Sequence, residues 1–215
     1  MAGNRKPGKD WIVESRLWLV LDMAAAAPRD LPAVTELGIA GGVDVILCRI
    51  KNTPLDVVAS QSAQVRQVCK EHGTPFVMSH FPELAVKLNA DAVQIGVSDP
   101  PVEIIRKQVA GMPVGYSSHG IAEAKAAIES GADYVFLGPV FPTPEKLKYG
   151  DPIGLGPVTE SQDLARPVIC IGGINHDNID ELIGRGAQRA AVISAIQRAV
   201  SPEDSARSLK VKLQR

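Results

Sequence analysis

Aromatic residues are scarce in this chain, 4% of 215 residues, although hydrophobic residues make up 45%. A sizeable core must therefore come from Val, Ile, Leu and Ala, the residues that parallel strands buried on both faces prefer. Cysteine is nearly missing. Cys48, Cys69 and Cys170 are odd in number and widely spaced, without a CxxC, which argues against a disulfide framework or zinc knuckle and fits a reducing cytoplasm. No apolar run approaches the ~18 residues of a membrane span. The opening MAGNRKPGKD is too polar for a signal peptide and reads as a disordered tail, residues 1–10, ahead of a single domain over 11–215. An excess of one charge is lacking too, with 23 basic residues against 24 acidic and a net charge of -1. That balance argues against attachment to nucleic acid or membrane by bulk charge and leaves room for a local basic pocket.

From Arg16 onward, short β-branched runs alternate with stretches of helical spacing. The runs cover 17–21, 43–50, 75–78, 92–95, 113–116, 134–137, 167–171 and 190–193. Between and after them the spacing predicts helices over 30–40, 55–71, 82–89, 101–109, 121–130, 159–165, 177–184 and 202–213. The phrases Gly-Gly-Val-Asp (41–44), Asn-Ala-Asp-Ala (89–92), Gly-Ala-Asp-Tyr (131–134) and Gly-Ala-Gln-Arg (186–189) each close a helix and launch a strand. Eight such units predict an α/β fold, a single-domain (β/α)8 TIM barrel. An open doubly wound sheet is the alternative, weakened because Asp22-Met-Ala-Ala stands where a GxGxxG would follow the first strand.

In a parallel barrel the chemistry lies where strands end. The second run ends Leu47-Cys-Arg-Ile-Lys, so Arg49 and Lys51 share a face, and two cations there imply an anion to offset their desolvation. Gly172 and Gly173 after the seventh run, with Ile193-Ser194 after the eighth, would let backbone N–H groups approach a phosphate. A tight left-handed turn is the plainer reading of that glycine pair. His119 closes Val114-Gly-Tyr-Ser-Ser-His, where it reads as a proton shuttle or as a polar cap on the next helix. His80 reads as structural or supporting. The sixth run breaks at Gly138 into a proline-stiffened loop carrying Thr143, Lys146 and Lys148. For a divalent metal the candidates are Asp99 and Asp22, without a second carboxylate near either in sequence.

Over about 17–199 the chain resembles the thiamine phosphate synthase and thiazole tautomerase (TenI-like) superfamily. Arg-x-Lys after strand two, Gly-x-Ser-x-His after strand five, Gly-Pro-Val-Phe-Pro-Thr after strand six, Ile-Gly-Gly-Ile after strand seven and Ile-Ser-Ala-Ile after strand eight carry the resemblance. It implies a thiazole phosphate held by Thr143, Gly172, Gly173, Ile193 and Ser194. Arg49, Lys51 and Lys146 would face pyrophosphate, and Ser117 would lie near a reacting pyrimidine. A synthase would use Mg2+, for which Asp99 is the retained carboxylate. A tautomerase would require no cofactor and would use His119 as acid and base.

The departures from the synthase pattern are Leu47 for Gln, Ser79-His80 for Asn-Asp, and Glu145 for a second Thr. They tilt the resemblance toward the tautomerase branch. A divergent synthase and a non-catalytic phosphate-ligand sensor are the alternatives. A sugar-phosphate isomerase on the same barrel has no carboxylate pair at the strand ends to recommend it. The implied partner is a small-molecule thiazole phosphate, and barrels of this resemblance are often homo-oligomers.

Overall fold

The computed structural model describes residues 10–143 and 151–214. Eight parallel strands close into a barrel in sequence order: β1 Leu17–Leu21, β2 Val45–Cys48, β3 Phe76–Ser79, β4 Ala92–Ile95, β5 Val114–Ser118, β6 Tyr134–Leu137, β7 Val168–Ile171 and β8 Ala190–Val192. The last strand returns to the first, with Trp18 opposite Ala191. The (β/α)8 barrel expected from the alternating runs is the fold observed.

The described helices are α1 Asp10–Glu14, α2 Met23–Ala26, α3 Leu31–Ala40, α4 Leu55–His72, α5 Pro82–Lys87, α6 Val102–Gln108, α7 Ile121–Glu129, α8 Gly156–Glu160, α9 Ile179–Gly184, α10 Ser194–Gln197 and α11 Pro202–Leu213. Three of them, α1, α2 and α10, have no counterpart in the helical spacing of the sequence. Residues 1–9 of the expected tail lie outside the described residues, and Asp10 opens α1. Strand β2 is shorter than its run because the Val43 N–H still bonds the Gly38 carbonyl at the end of α3. Helix α8 begins earlier than its spacing suggested and tightens into a 3-10 turn over Ser161–Asp163.

Two-residue alternation separates two apolar layers. Trp18, Val20, Val45, Leu47, Val77, Ala92, Tyr134, Phe136, Ile169 and Ala191 are buried together, and their spacing along each strand turns them toward the barrel axis. The residues between them, such as Leu19, Ile46, Met78, Val93, Val135 and Cys170, pack outward with helix residues including Val34, Val65, Ile105 and Leu182. Burial pushes the Cys48 thiol up to about 11 and the Cys170 thiol to about 12, so both behave as core residues.

The recurring Asp of the strand-launching phrases has a physical cause. Asp44 accepts the N–H groups of Arg16 and Leu17, Asp91 that of Phe76 and Asp133 that of Val114. Each carboxylate thus ties the start of one strand to the start of the strand before it. Each is also met by a cation, Lys210, Arg66 and Arg106 respectively. In the fourth phrase Gln188 stands instead and accepts from Arg16.

Candidate active site

The mouth is assembled where the strands end. Beyond β1, Asp22 caps α2 by accepting the Ala24 and Ala25 N–H groups through Oδ1, and its Oδ2 lies 3.5 Å from Arg49 Nη1 beyond β2. Lys51 is exposed, yet close enough for its charge to act on Asp99. Asp99, beyond β4, accepts the Gly96 N–H at 2.8 Å, and its Oδ2 is 2.6 Å from His80 Nδ1. Burial by itself pushes the Asp99 carboxyl up. The hydrogen bonds from His80 and Gly96, with the charges of His80 and Lys51, outweigh that effect and hold it below its ordinary value.

Ser117 is half-buried in β5, and its hydroxyl accepts from Gln94 Nε2 at 2.9 Å. The other amide atom, Gln94 Oε1, is buried with no hydrogen-bond partner among the described residues. Gly115 makes this arrangement possible, because a Cβ there would stand 2.2 Å from Gln94 Oε1 and 2.2 Å from Tyr134 Cζ. Gln94 was not among the residues singled out from sequence. A lone Gln on the axis-facing position of an otherwise apolar strand, Ala-Val-Gln-Ile, is the signal that could have found it.

His119 stands just past β5 with its side chain 53% exposed. Its Nδ1 is 3.3 Å from Glu123 Oε2, and its backbone N–H donates to the same oxygen at 2.7 Å. Glu123 also accepts from the Tyr116 hydroxyl at 3.1 Å. An acidic residue in the first turn of α7 thus both bonds the chain ahead of the helix and braces the imidazole. The His119 side chain does not cap the helix as one reading of the sequence expected; Glu123 makes that bond, to the His119 N–H.

Next to β5 around the mouth, the loop after β6 lies against the loop after β7. The Val140 and Phe141 N–H groups donate to the Ile171 and Gly172 carbonyls. Gly172 and Gly173 have φ of 101° and 68°, and a Cβ on Gly172 would stand 2.5 Å from Pro139. The left-handed turn is therefore real, and it serves close packing of the two loops. Thr143 Oγ1 is buried without a hydrogen-bond partner among the described residues. Ile193 follows β8, and Ser194 opens α10, exposed. Lys146 and Lys148 lie outside the described residues, as does Glu145.

The described donors do not by themselves build a magnesium site. Among the described residues, no group of three or more His, Cys, Asp or Glu side chains is arranged to hold a metal. Mg2+ favours near-octahedral oxygen ligands. The two carboxylates at the mouth already face Arg49 and His80.

A closed parallel barrel with cations, an imidazole–carboxylate pair and glycine loops at the strand ends has the architecture of a (β/α)8-barrel enzyme. The family model described as thiamine monophosphate synthase matches residues 17–196. A putative thiamine-phosphate synthase of Geobacter sulfurreducens is 34% identical over 199 residues, which span 92% of this chain and 93% of the relative. The thiamine-phosphate synthase of Methanocella arvoryzae is 36% identical over 199 residues, 90% of this chain and 92% of its own. Among solved structures, the thiamine phosphate pyrophosphorylase of Pyrococcus furiosus superposes with a TM-score of 0.86 at 28% identity, covering 96% of this chain and 97% of that one. The chain belongs to the thiamine monophosphate synthase family.

Proposed function

We propose that the mouth binds a thiazole phosphate and moves a proton on its ring, the reaction of a thiazole tautomerase. His119 is the acid and base, with Glu123 fixing its orientation. The observation that carries this reading is the His119–Glu123 pair, poised beside a mouth where Asp22 and Asp99 already face Arg49 and His80. Backbone N–H groups at Gly172, Gly173, Ile193 and Ser194 and the unpartnered Thr143 hydroxyl hold the phosphate. Arg49 and Lys51 attract the second anionic group of the ligand, and Ser117 faces the ring. Lys146 belongs to the same ligand shell on sequence grounds alone. No cofactor enters this reaction.

A second reading, thiamine-phosphate synthase, is favoured by the names of the relatives, which align over nine-tenths of both chains. It requires charge on a departing pyrophosphate to be neutralised, a task usually given to metal ions. The two are separated by one assay. Purified protein and His119→Asn are given the carboxythiazole phosphate tautomer, and a parallel tube receives the thiazole phosphate with Mg2+ and hydroxymethylpyrimidine pyrophosphate. Aromatisation reduced ~10²–10⁴-fold by the substitution supports the tautomerase. Thiamine phosphate in the parallel tube, without aromatisation in the first, supports the synthase. Silence in both, with the phosphate ester still bound, leaves a ligand sensor.

A further inference from the structure

His80 and Phe81 are consecutive non-glycine residues with φ of 59° and 47°. This left-handed state is disfavoured for residues that carry a Cβ and persists where the surroundings enforce it. The enforcing contact at His80 is its N–H, which donates to the Gln94 carbonyl at 2.8 Å and extends the β3–β4 ladder by one step. The ring then lies against Asp99, Nδ1 to Oδ2 2.6 Å, with 28% and 14% of the two side chains exposed. Asp99 is further fixed by the Gly96 N–H. The other mouth carboxylate, Asp22, is held by two helix N–H groups and faces Arg49.

From this geometry we infer that His80 is a positioning residue that occupies Asp99 where a divalent cation would otherwise sit, leaving the mouth an anion receptor that works without metal. Its ligand class is a phosphate ester met by Arg49, Lys51 and backbone N–H groups, rather than a metal-chelated diphosphate. The ligand part rests on the phosphate-binding reading above; the exclusion of metal does not. A hard cation takes one or two carboxylates together with further oxygens, and an imidazole held at 2.6 Å from Asp99 Oδ2, the oxygen that also accepts the Gly96 N–H, leaves this carboxylate a single oxygen to offer. Aspartate at position 80 would face Asp99 across the same gap and supply what is lacking.

The test uses Mn2+ alone as the probe, followed by electron paramagnetic resonance on the wild-type chain, Asp99→Asn and His80→Asp, with thermal melts reporting the fold. The wild type is expected to take up Mn2+ no better than Asp99→Asn, and His80→Asp to bind at least about tenfold more tightly than either. Wild-type uptake that disappears with Asp99→Asn would overturn the inference. So would a folded His80→Asp protein that gains nothing. Should His80→Asp lose its fold, the wild type against Asp99→Asn decides alone. Inorganic phosphate titrated in EDTA and then in Mg2+ separates the two layers. Equal affinities support the metal-free receptor, and a dependence on Mg2+ overturns it. Absence of phosphate binding in both solutions overturns the phosphate-binding reading while the Mn2+ result stands.

Discussion

The two ends of the barrel solve opposite problems with the same strands. At the N-terminal end, Trp18 packs its ring 5.6 Å from Trp11, 5.4 Å from Tyr134 and 5.4 Å from Phe136, so much of the chain's small aromatic content is gathered into one plug. Helix α1 covers it, held by Arg189 donating to the Ile12 and Val13 carbonyls. At the C-terminal end the axis is lined instead by Gln94 and Ser117, under carboxylates paired with Arg49 and His80. Left-handed backbone occurs at both ends, at Gly42, Gly73, Asn89, Gly131 and Gly186 ahead of strands, but at the mouth it falls on His80 and Phe81, two consecutive residues that carry side chains, beside Gly172 and Gly173. Apolar burial stabilises without direction, whereas polar groups held in strained backbone set positions. The floor is where substitutions should unfold the protein, and the mouth is where they should change what it binds.

The largest loss is expected from Trp18→Ala. Trp18 is fully buried and donates its indole N–H to Ser15 Oγ at 2.9 Å. Removing the ring leaves a cavity among three aromatic neighbours and should lower unfolding free energy by about 3–5 kcal/mol. Urea unfolding measures it, and the folded fraction should bind phosphate as the wild type does. A smaller stability loss accompanied by lost ligand affinity would break the division between floor and mouth.

Gly172→Ala tests the comparison from the other side, because it is a mouth position with a structural duty. At φ 101° an L-residue is strained, and its Cβ would stand 2.5 Å from Pro139. A loss of about 1–3 kcal/mol is expected, with phosphate affinity falling as the two loops part. Stability equal to the wild type would mean that the β6 and β7 loops are not packed together as described.

Acid should weaken the mouth at Asp99. The Asp99 carboxyl is held below its ordinary 3.8 in the folded protein. A folded value beneath the unfolded one contributes stability that is present above about pH 4 and lost as pH falls through the folded value. Asp99→Asn should therefore be less stable than the wild type at pH 7, and the difference should shrink as pH drops below 4. A difference constant with pH would mean that the His80–Asp99 contact does not form in solution.

Much of the fold is legible in the sequence because each strand is a short apolar run bounded by small residues. Strands β1, β4 and β6 and helix α11 occupy the expected residues, the helix because Ser201 caps it and Pro202 opens it. The mouth was legible as a set of motifs at strand ends, and Arg49, Ser117, His119, Thr143 and the glycine pair all lie there. What escaped is contact between distant segments. His80 and Asp99 are 19 residues apart and meet only because β3 and β4 are neighbours, with Ser79 opposite Gln94. Trp11 and Ile12 escaped because a five-residue helix shows no periodicity, and only packing under Trp18 makes them core.

The smallest expected effect sharpens the boundary between the two ends. Tyr134 belongs to the aromatic plug, yet its hydroxyl is buried without a partner among the described residues, as is Gln94 Oε1 one layer above. Burial pushes the Tyr134 phenol well above its ordinary range, so it stays neutral and gains nothing from charge. A hydroxyl desolvated and unpartnered is a liability, and Tyr134→Phe should leave stability within about 1 kcal/mol of the wild type, on the stabilising side. A loss beyond that would mean that the hydroxyl has a polar partner, for which Gln94 Oε1, packed like the Tyr134 ring against Gly115, is the candidate. The polar network of the mouth would then reach one layer deeper, and Gln94 would be held from both sides as it orients Ser117.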